Sequence, residues 1–248
     1  MSDTAPGFED FWLASELNSL RLPGFASRLT TYQPAQRGVS AETRAGDLIS
    51  LGTCDNALVR LLAERHSSRT YTGQGIPIAQ LGQLLSVAAE IDGHRGHAAG
   101  GGLYTVGISV LCLNIVGPTN AMACQYVPTH HALVPVAASP GWPELSELFG
   151  AQSVTGAPAA VLVLWSTAAQ ALAKYGERGG RFVLLEAGAL LQSLGLGAAH
   201  LGLGAVILGG GNDREVLNLI GLTGLPAAKY VAAMAVGCAE ATSPREML

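Results

Sequence analysis

The chain has 248 residues, enough for one large core or two small domains; 49% of them are hydrophobic and only 13% charged, which predicts a large shared interface, a homodimer. A net charge of −4, with no Lys/Arg run or basic stripe, excludes a nucleic-acid partner. Cys54, Cys112, Cys124 and Cys238 are scattered without C-x-x-C spacing, which predicts reduced thiols and a cytoplasmic location.

Asp3, Glu9 and Asp10 stand where a signal peptide would carry its basic region, so no such peptide is expected. Residues 8–20 read as an amphipathic helix through Phe11, Trp12 and Leu20. Residues 22–50 are rich in Pro, Gly and Thr and read as a loop wrapping the core. Helical spacing resumes over 56–65, through Leu58, Leu61 and Leu62, and again over 77–91, where Pro77 suits a first helical position. Glycines and histidines make 92–102 irregular. Residues 104–116 read as a strand, and 121–127 with 133–136 as a hairpin around the turn at 128–131. A short helix is expected over 142–149 and a buried strand over the apolar run 159–165.

A long helix follows over 181–203, preceded by "LAKYGERGGRF", where Lys174 and Tyr175 stand together among glycines. Residues 182–208 are the one candidate for a membrane span, but Glu186, Gln192, His200 and several glycines interrupt them, so a core or interface helix is expected and no membrane partner. A short strand over 206–208, a helix over 213–220 capped by Asn212 or Asp213, and a last strand over 230–236 complete the chain. Strands and helices mix without steady β-α-β alternation, which predicts an α+β fold.

Three stretches could carry chemistry. "RHSSRTYTG", from Arg65, places forked arginine donors and serine hydroxyls together, as a phosphate site would; a charged helix end gives the same pattern. "HAAGGGLYTV" and "LGLGAVILGGGND" would let backbone approach a flat ligand, although the first lacks the Lys and Ser/Thr of a P-loop and follows no strand. His94 and His97, and the adjacent His130 and His131, come without a matching Cys or carboxylate set, so no metal site is expected. No G-x-S-x-G elbow occurs.

In this order, the stretches from Ala63 to Gly237 resemble the nitroreductase superfamily of flavoproteins. They are most similar to its SagB-type branch, azoline dehydrogenases that oxidise thiazoline or oxazoline rings in modified peptides. The likeness rests on "RHSSRTYTGQGIPIAQLGQLL", "GGLY", "QYVPTHHALVPV", "KYGERGGRFVLLEAGALLQSL" and "LGLGAVILGGGND". The chain departs from the pattern at Ala98, Ala99 and Gly100, where Pro-Ser-Ala is common, at Thr105, where proline is usual, and at Gly180, where tyrosine or a similar residue is common.

The resemblance implies a central, mainly antiparallel sheet flanked by helices, in a dimer that buries the long helix and holds FMN at two interfacial sites. It divides the chain into an N-terminal extension, 1–55, of helix and loop, and an FMN-dependent domain, 56–248. Arg65, His66, Ser67 and Arg69 would bind the FMN phosphate and ribityl group, with Arg245 as a further cation. Gly101, Gly102, Gly209 and Gly210 would lie against the flavin. Lys174 and Tyr175 would handle the substrate proton, with burial beside the flavin and Arg178 or Arg181 nearby disfavouring the charged lysine. His97, Tyr104 and the 128–131 turn would rim the entrance.

The substrate would be a ribosomal peptide or a peptide-synthetase-bound intermediate, and a cyclodehydratase or carrier-protein complex a partner. Two alternatives stand beside this one. The first is an NAD(P)H-dependent FMN nitro- or quinone reductase. The second, motivated by Ala99 and Thr105, is a flavin-free scaffold subunit of a maturation complex.

Overall fold

The computed structural model describes residues 6–31, 51–52, 54–225 and 227–240. Its centre is a six-stranded antiparallel sheet in the order β5-β4-β2-β6-β8-β7, built from β2 (Val106–Cys112), β4 (Met122–Val127), β5 (Ala132–Ala138), β6 (Ala160–Ser166), β7 (Gly204–Leu208) and β8 (Lys229–Gly237). The apolar run of β6 is buried along almost its whole length because both faces of the sheet are covered. Side chains alternate across the strand. Leu162 and Leu164 join one core with α4 (Ile78–Leu85) and α7 (Arg178–His200), while Val161 and Val163 join a second with α5 (Trp142–Leu148) and α8 (Asp213–Leu219).

Helix α7 is the one helix among the described residues long and apolar enough to cross a membrane. It is a core helix instead: Val183, Ala187, Leu190, Leu194 and Ala198 pack into the first core. Its Leu184 and Leu185, with Leu58 and Leu62 of α3 (Ala57–Glu64), remain exposed. Helix α3 is amphipathic yet buries none of its residues in the single chain.

Several expected elements differ. The first helix, α1 (Pro6–Ser15), stops before residue 20, where Arg21 Nη1 donates to the carbonyls of Leu13, Ala14 and Glu16. The 22–50 stretch is not all loop, because Leu22–Thr31 forms helix α2 after a turn in which Asn18 Oδ1 accepts from the amides of Leu20 and Arg21; residues 32–50 lie outside the described residues. Pro77 precedes α4 in a short strand, β1 (Ile76–Pro77), and α4 gives way to a 3-10 turn at Ser86–Ala88.

The expected 104–116 strand breaks at Leu113 and Asn114, whose amides both donate to Ala159, and β3 (Ile115–Val116) leaves the sheet to pair in parallel with β1. Residues Ala169–Tyr175 form helix α6, so Lys174 and Tyr175 stand on a helix rather than a flexible stretch. Helix α7 begins at Arg178 and includes Gly179 and Gly180. Tertiary packing overrides the poor helix propensity of those glycines. A side chain at Gly179 would overlap the Ala171 carbonyl, and one at Gly180 would overlap the Phe8 ring.

Candidate functional site

The last turn of α6 faces a glycine turn, Gly100–Gly102, which Leu103, Tyr104 and Thr105 connect to β2. Gly101 has φ 61°, a left-handed conformation that disfavours a side chain. It also has no room for one: a Cβ there would overlap Tyr175 Oη and stand 2.7 Å from Lys174 Nζ. Lys174 Nζ lies 5.3 Å from the Tyr175 ring centroid, within cation–π range. The Tyr175 ring meets Phe182 of α7 edge-on at 4.8 Å, and Phe182 in turn presses on Gly100. Two side chains with exchangeable protons thus converge on backbone that can approach a flat ligand. Gly102 beside them is open, with no atom within 4 Å of a built Cβ. Lys174 is exposed in the single chain, so the burial expected around it would have to come from a ligand or a second chain.

Behind this turn is a buried carboxylate. Glu186 of α7, 2% exposed, accepts from Thr105 N and Thr105 Oγ1, both at 3.0 Å, and from Val106 N at 2.9 Å. Burial pushes its carboxyl up, but the neighbouring His97 side chain and the bonds from Val106 and Thr105 outweigh that and hold it below the usual glutamate value. Thr105 departs from the proline of the resembling family, and a proline could make neither of its bonds. His97, also buried, brings Nε2 to 3.8 Å from Glu186 Oε1, and neither of its ring nitrogens has a hydrogen-bond partner. Its ring meets Tyr104 edge-on at 5.5 Å. Arg95 stacks over Tyr104 at 4.8 Å and donates its backbone N–H to Tyr104 Oη. His97 and Tyr104 therefore stand close to Gly101 in sequence and pack on each other, His97 beside Glu186 and Tyr104 beneath Arg95.

The 128–131 turn is tied to the segment before Arg95, where Glu90 N donates to the Pro128 carbonyl at 3.1 Å. His131 Nδ1 is 2.8 Å from Tyr126 Oη, and the two line an apolar cavity of about 320 Å³ with Ile78, Leu81 and Leu133. Burial pushes the Tyr126 hydroxyl up to about 12.

The arginine–serine stretch occupies a third region. Arg65 ends α3, and its side-chain methylenes rest near Gly195 of α7. Ser67 bridges to Ala205 of β7, and Ser67 and Arg69 are exposed. A cavity of about 260 Å³ beside them is lined by His66, Ser68, Gly195, Ala199, Ala205 and Glu240. His66 Nδ1 is 2.9 Å from the Glu64 carbonyl. The buried Ser68 Oγ has no hydrogen-bond partner. Ser68, and not only Ser67, is therefore a candidate for binding a ligand here.

Gly209 is open on its Cβ side, whereas Gly210 is closed by the Phe149 carbonyl and Phe25 of α2. Arg245 lies outside the described residues. Among the described residues no three His, Cys, Asp or Glu side chains cluster as metal ligands would. The Lys174–Tyr175 pair and the arginine stretch stay apart within one chain. Tyr175 meets α7 at Phe182 and Arg65 meets it at Gly195, roughly 20 Å apart at 1.5 Å per helical residue.

The sequence pattern of the nitroreductase family matches residues 62–238. A protein of Methanocaldococcus jannaschii that is named as a nitroreductase is 26% identical over 187 residues, covering 73% of this chain and 94% of its own. A crystal structure from Anabaena variabilis, named likewise, superposes with a TM-score of 0.64 at 24% identity over 74% of this chain, which spans 39% of that longer protein. A chain of the E. coli microcin synthetase McbBCD complex, solved with truncated pro-MccB17 bound, superposes with a TM-score of 0.72 at 24% identity over 96% of this chain and 95% of that one.

Proposed function

The chain belongs to the nitroreductase family of oxidoreductases, and from that membership we propose that it is an FMN-dependent dehydrogenase that oxidises thiazoline or oxazoline rings in a peptide to the aromatic azoles. The observation that carries this reading is the convergence of Tyr175 Oη and Lys174 Nζ on Gly101. The peptide class of substrate is supported by the likeness, over almost the whole chain, to a component of a synthetase solved with its precursor peptide.

The residues present fit an FMN. Gly102 and Gly209 offer open backbone to a flat ring, and Arg65, Arg69 and the unpartnered Ser68 Oγ offer donors to a phosphate. When bound, FMN supplies the two-electron acceptor that no side chain provides. The protein's own part is to place the ring and to move a proton. Oxidising an azoline removes a proton from one ring carbon while a hydride equivalent leaves its neighbour, so a base must stand within hydrogen-bond reach of the substrate. Lys174 Nζ is that base in this reading. Tyr175 Oη, held by Phe182, orients the ring or relays the proton.

The site is completed by a second copy. A partner α7 running antiparallel across the exposed Leu58, Leu62, Leu184 and Leu185 would bring the Arg65 end of one chain toward the Tyr175 end of the other. Covering those leucines removes apolar surface from water, which favours the homodimer.

Lys174→Ala and Tyr175→Phe test the reading. The purified protein is expected to be a yellow dimer that releases FMN on denaturation. Each variant should keep FMN while turnover of an azoline peptide falls by roughly two to four orders of magnitude for the lysine. Normal turnover in Lys174→Ala, or a colourless protein that takes up no FMN, would overturn it.

A further inference from the structure

We propose that helix α1 is a positioning strap for the Lys174–Tyr175 turn, and that Glu177 is the residue through which it acts. Only Gly176 and Glu177 separate α6, which ends at Tyr175, from α7. Gly176 has φ 57° and ψ −148°, a conformation essentially reserved to glycine, and no atom lies within 4 Å of a Cβ built on it, so no side chain braces the turn at that point. Glu177 makes no side-chain cap on its own helix. Its carboxylate reaches across the molecule instead. Oε1 accepts from Gly7 N at 3.0 Å and Oε2 from Phe8 N at 2.7 Å, the free amides at the start of α1. One turn further along α7, Gly180 leaves the space that the Phe8 ring fills. The strap therefore meets the turn at two adjacent points, one polar and one apolar.

Helix α1 is also anchored to other elements, in its first turn and beyond its C-terminal end. Lys229 Nζ is 2.7 Å from Glu9 Oε2. Beyond the helix, Asp213 N donates to the Leu17 carbonyl at 3.0 Å while Asp213 Oδ1 accepts from Leu17 N at 3.2 Å. Phe8 and Trp12 are buried, so α1 is fixed against the core and not only to the turn. A rigid element pinned at its far end and joined to a two-residue hinge restricts that hinge. The restricted hinge holds Tyr175 Oη and Lys174 Nζ over Gly101. The consequence for turnover rests on the proposed reading of that pair; the mechanical coupling does not.

The test uses the full-length holoprotein with Glu177→Ala and Glu177→Asp. Neither touches Lys174, Tyr175 or Gly101, and the exposed position of Glu177 makes both foldable. Hydrogen exchange is read by mass spectrometry over residues 6–15 and, separately, over 172–182, alongside FMN content, the visible spectrum, kcat and KM. In Glu177→Ala, exchange should rise about fivefold or more in 6–15, as loss of a helix cap implies, and should rise with it in 172–182. Turnover should fall by roughly ten- to a hundredfold through kcat, the cost of about 1 Å of misplacement, with FMN retained and KM little changed. Glu177→Asp should recover part of both effects.

Gly180→Ala, which displaces the Phe8 ring without touching the cap, should reproduce the exchange pattern. Faster exchange in 6–15 with unchanged exchange in 172–182 would overturn the proposal and leave α1 as a cover for the core. Unchanged exchange in both segments would overturn it equally. If the wild type oxidises no azoline, the functional reading fails, while the paired exchange measurement still decides whether the strap exists.

Discussion

Glu186→Gln is the perturbation whose cost can be worked most directly from the structure. Glu186 is 2% exposed and collects three donated hydrogen bonds at 2.9–3.0 Å. A glutamine can keep its carbonyl toward Thr105, but its amide N–H₂ must then face Val106 N–H, donor against donor. One charge-assisted bond is lost, a buried N–H is left unsatisfied and the remaining two bonds weaken, together about 2–4 kcal/mol. For a chain of this size that lowers Tm by roughly 5–15 °C.

The effect carries a pH signature. The folded-state carboxyl is held below its ordinary value, so its contribution is fully present above about pH 4.5, the unfolded value, and is lost as pH falls through the folded one. Glu186→Gln has no such dependence. The stability gap between wild type and variant, from urea denaturation at pH 7 and at steps down to pH 4, should be constant at the upper end and narrow at the lower. A gap that is absent at pH 7, or that widens on acidification, would refute the assignment of Glu186 as an ionised anchor of the glycine turn.

Gly101→Ala and Gly102→Ala separate backbone strain from contact. Both positions have positive φ, 61° and 67°, so each variant should lose about 1–2 kcal/mol in denaturant melts; Gly101→Ala should also displace Tyr175 and abolish turnover with FMN still bound, whereas Gly102→Ala, facing open space, should show its defect as lost FMN if the flavin lies there. Asp213 makes the opposite pH argument to Glu186. Burial is the chief cause that pushes its carboxyl up to about 7, so the folded state holds a proton that the unfolded state has released, and wild-type stability declines as pH rises from about 4 to 7. Asp213→Asn, whose carbonyl can still accept from Leu17 N, should therefore gain on the wild type in Tm as pH rises from 5 to 8, and equal differences at both values would contradict the raised carboxyl.

What the sequence determined was mostly local. The apolar run at 159–165, the hairpin around 128–131 and the long helix ahead of 206–208 were legible because each signal lies within one element: β6 needs apolar side chains on both faces, and α7 reads as apolar nearly all round. Family likeness added the central, mainly antiparallel sheet and drew attention to Lys174 and Tyr175. It could not show that they close on Gly101, since that contact joins α6 to a turn some seventy residues earlier. Glu186 read as an interruption in an apolar helix because its three donors belong to residues eighty positions away.

The first turn of α7, which begins at Arg178 and not at the expected 181, was missed for the same reason. Gly179 and Gly180 argue locally against helix, and only the Ala171 carbonyl and the Phe8 ring packed against them explain why a side chain would not fit. Periodicity decides which face of an element is apolar. Which distant carboxylate, ring or amide meets that face is decided when the sheet register and the crossing of α1, α6 and α7 are set, because hydrogen bonding and close packing act through space and not along the chain.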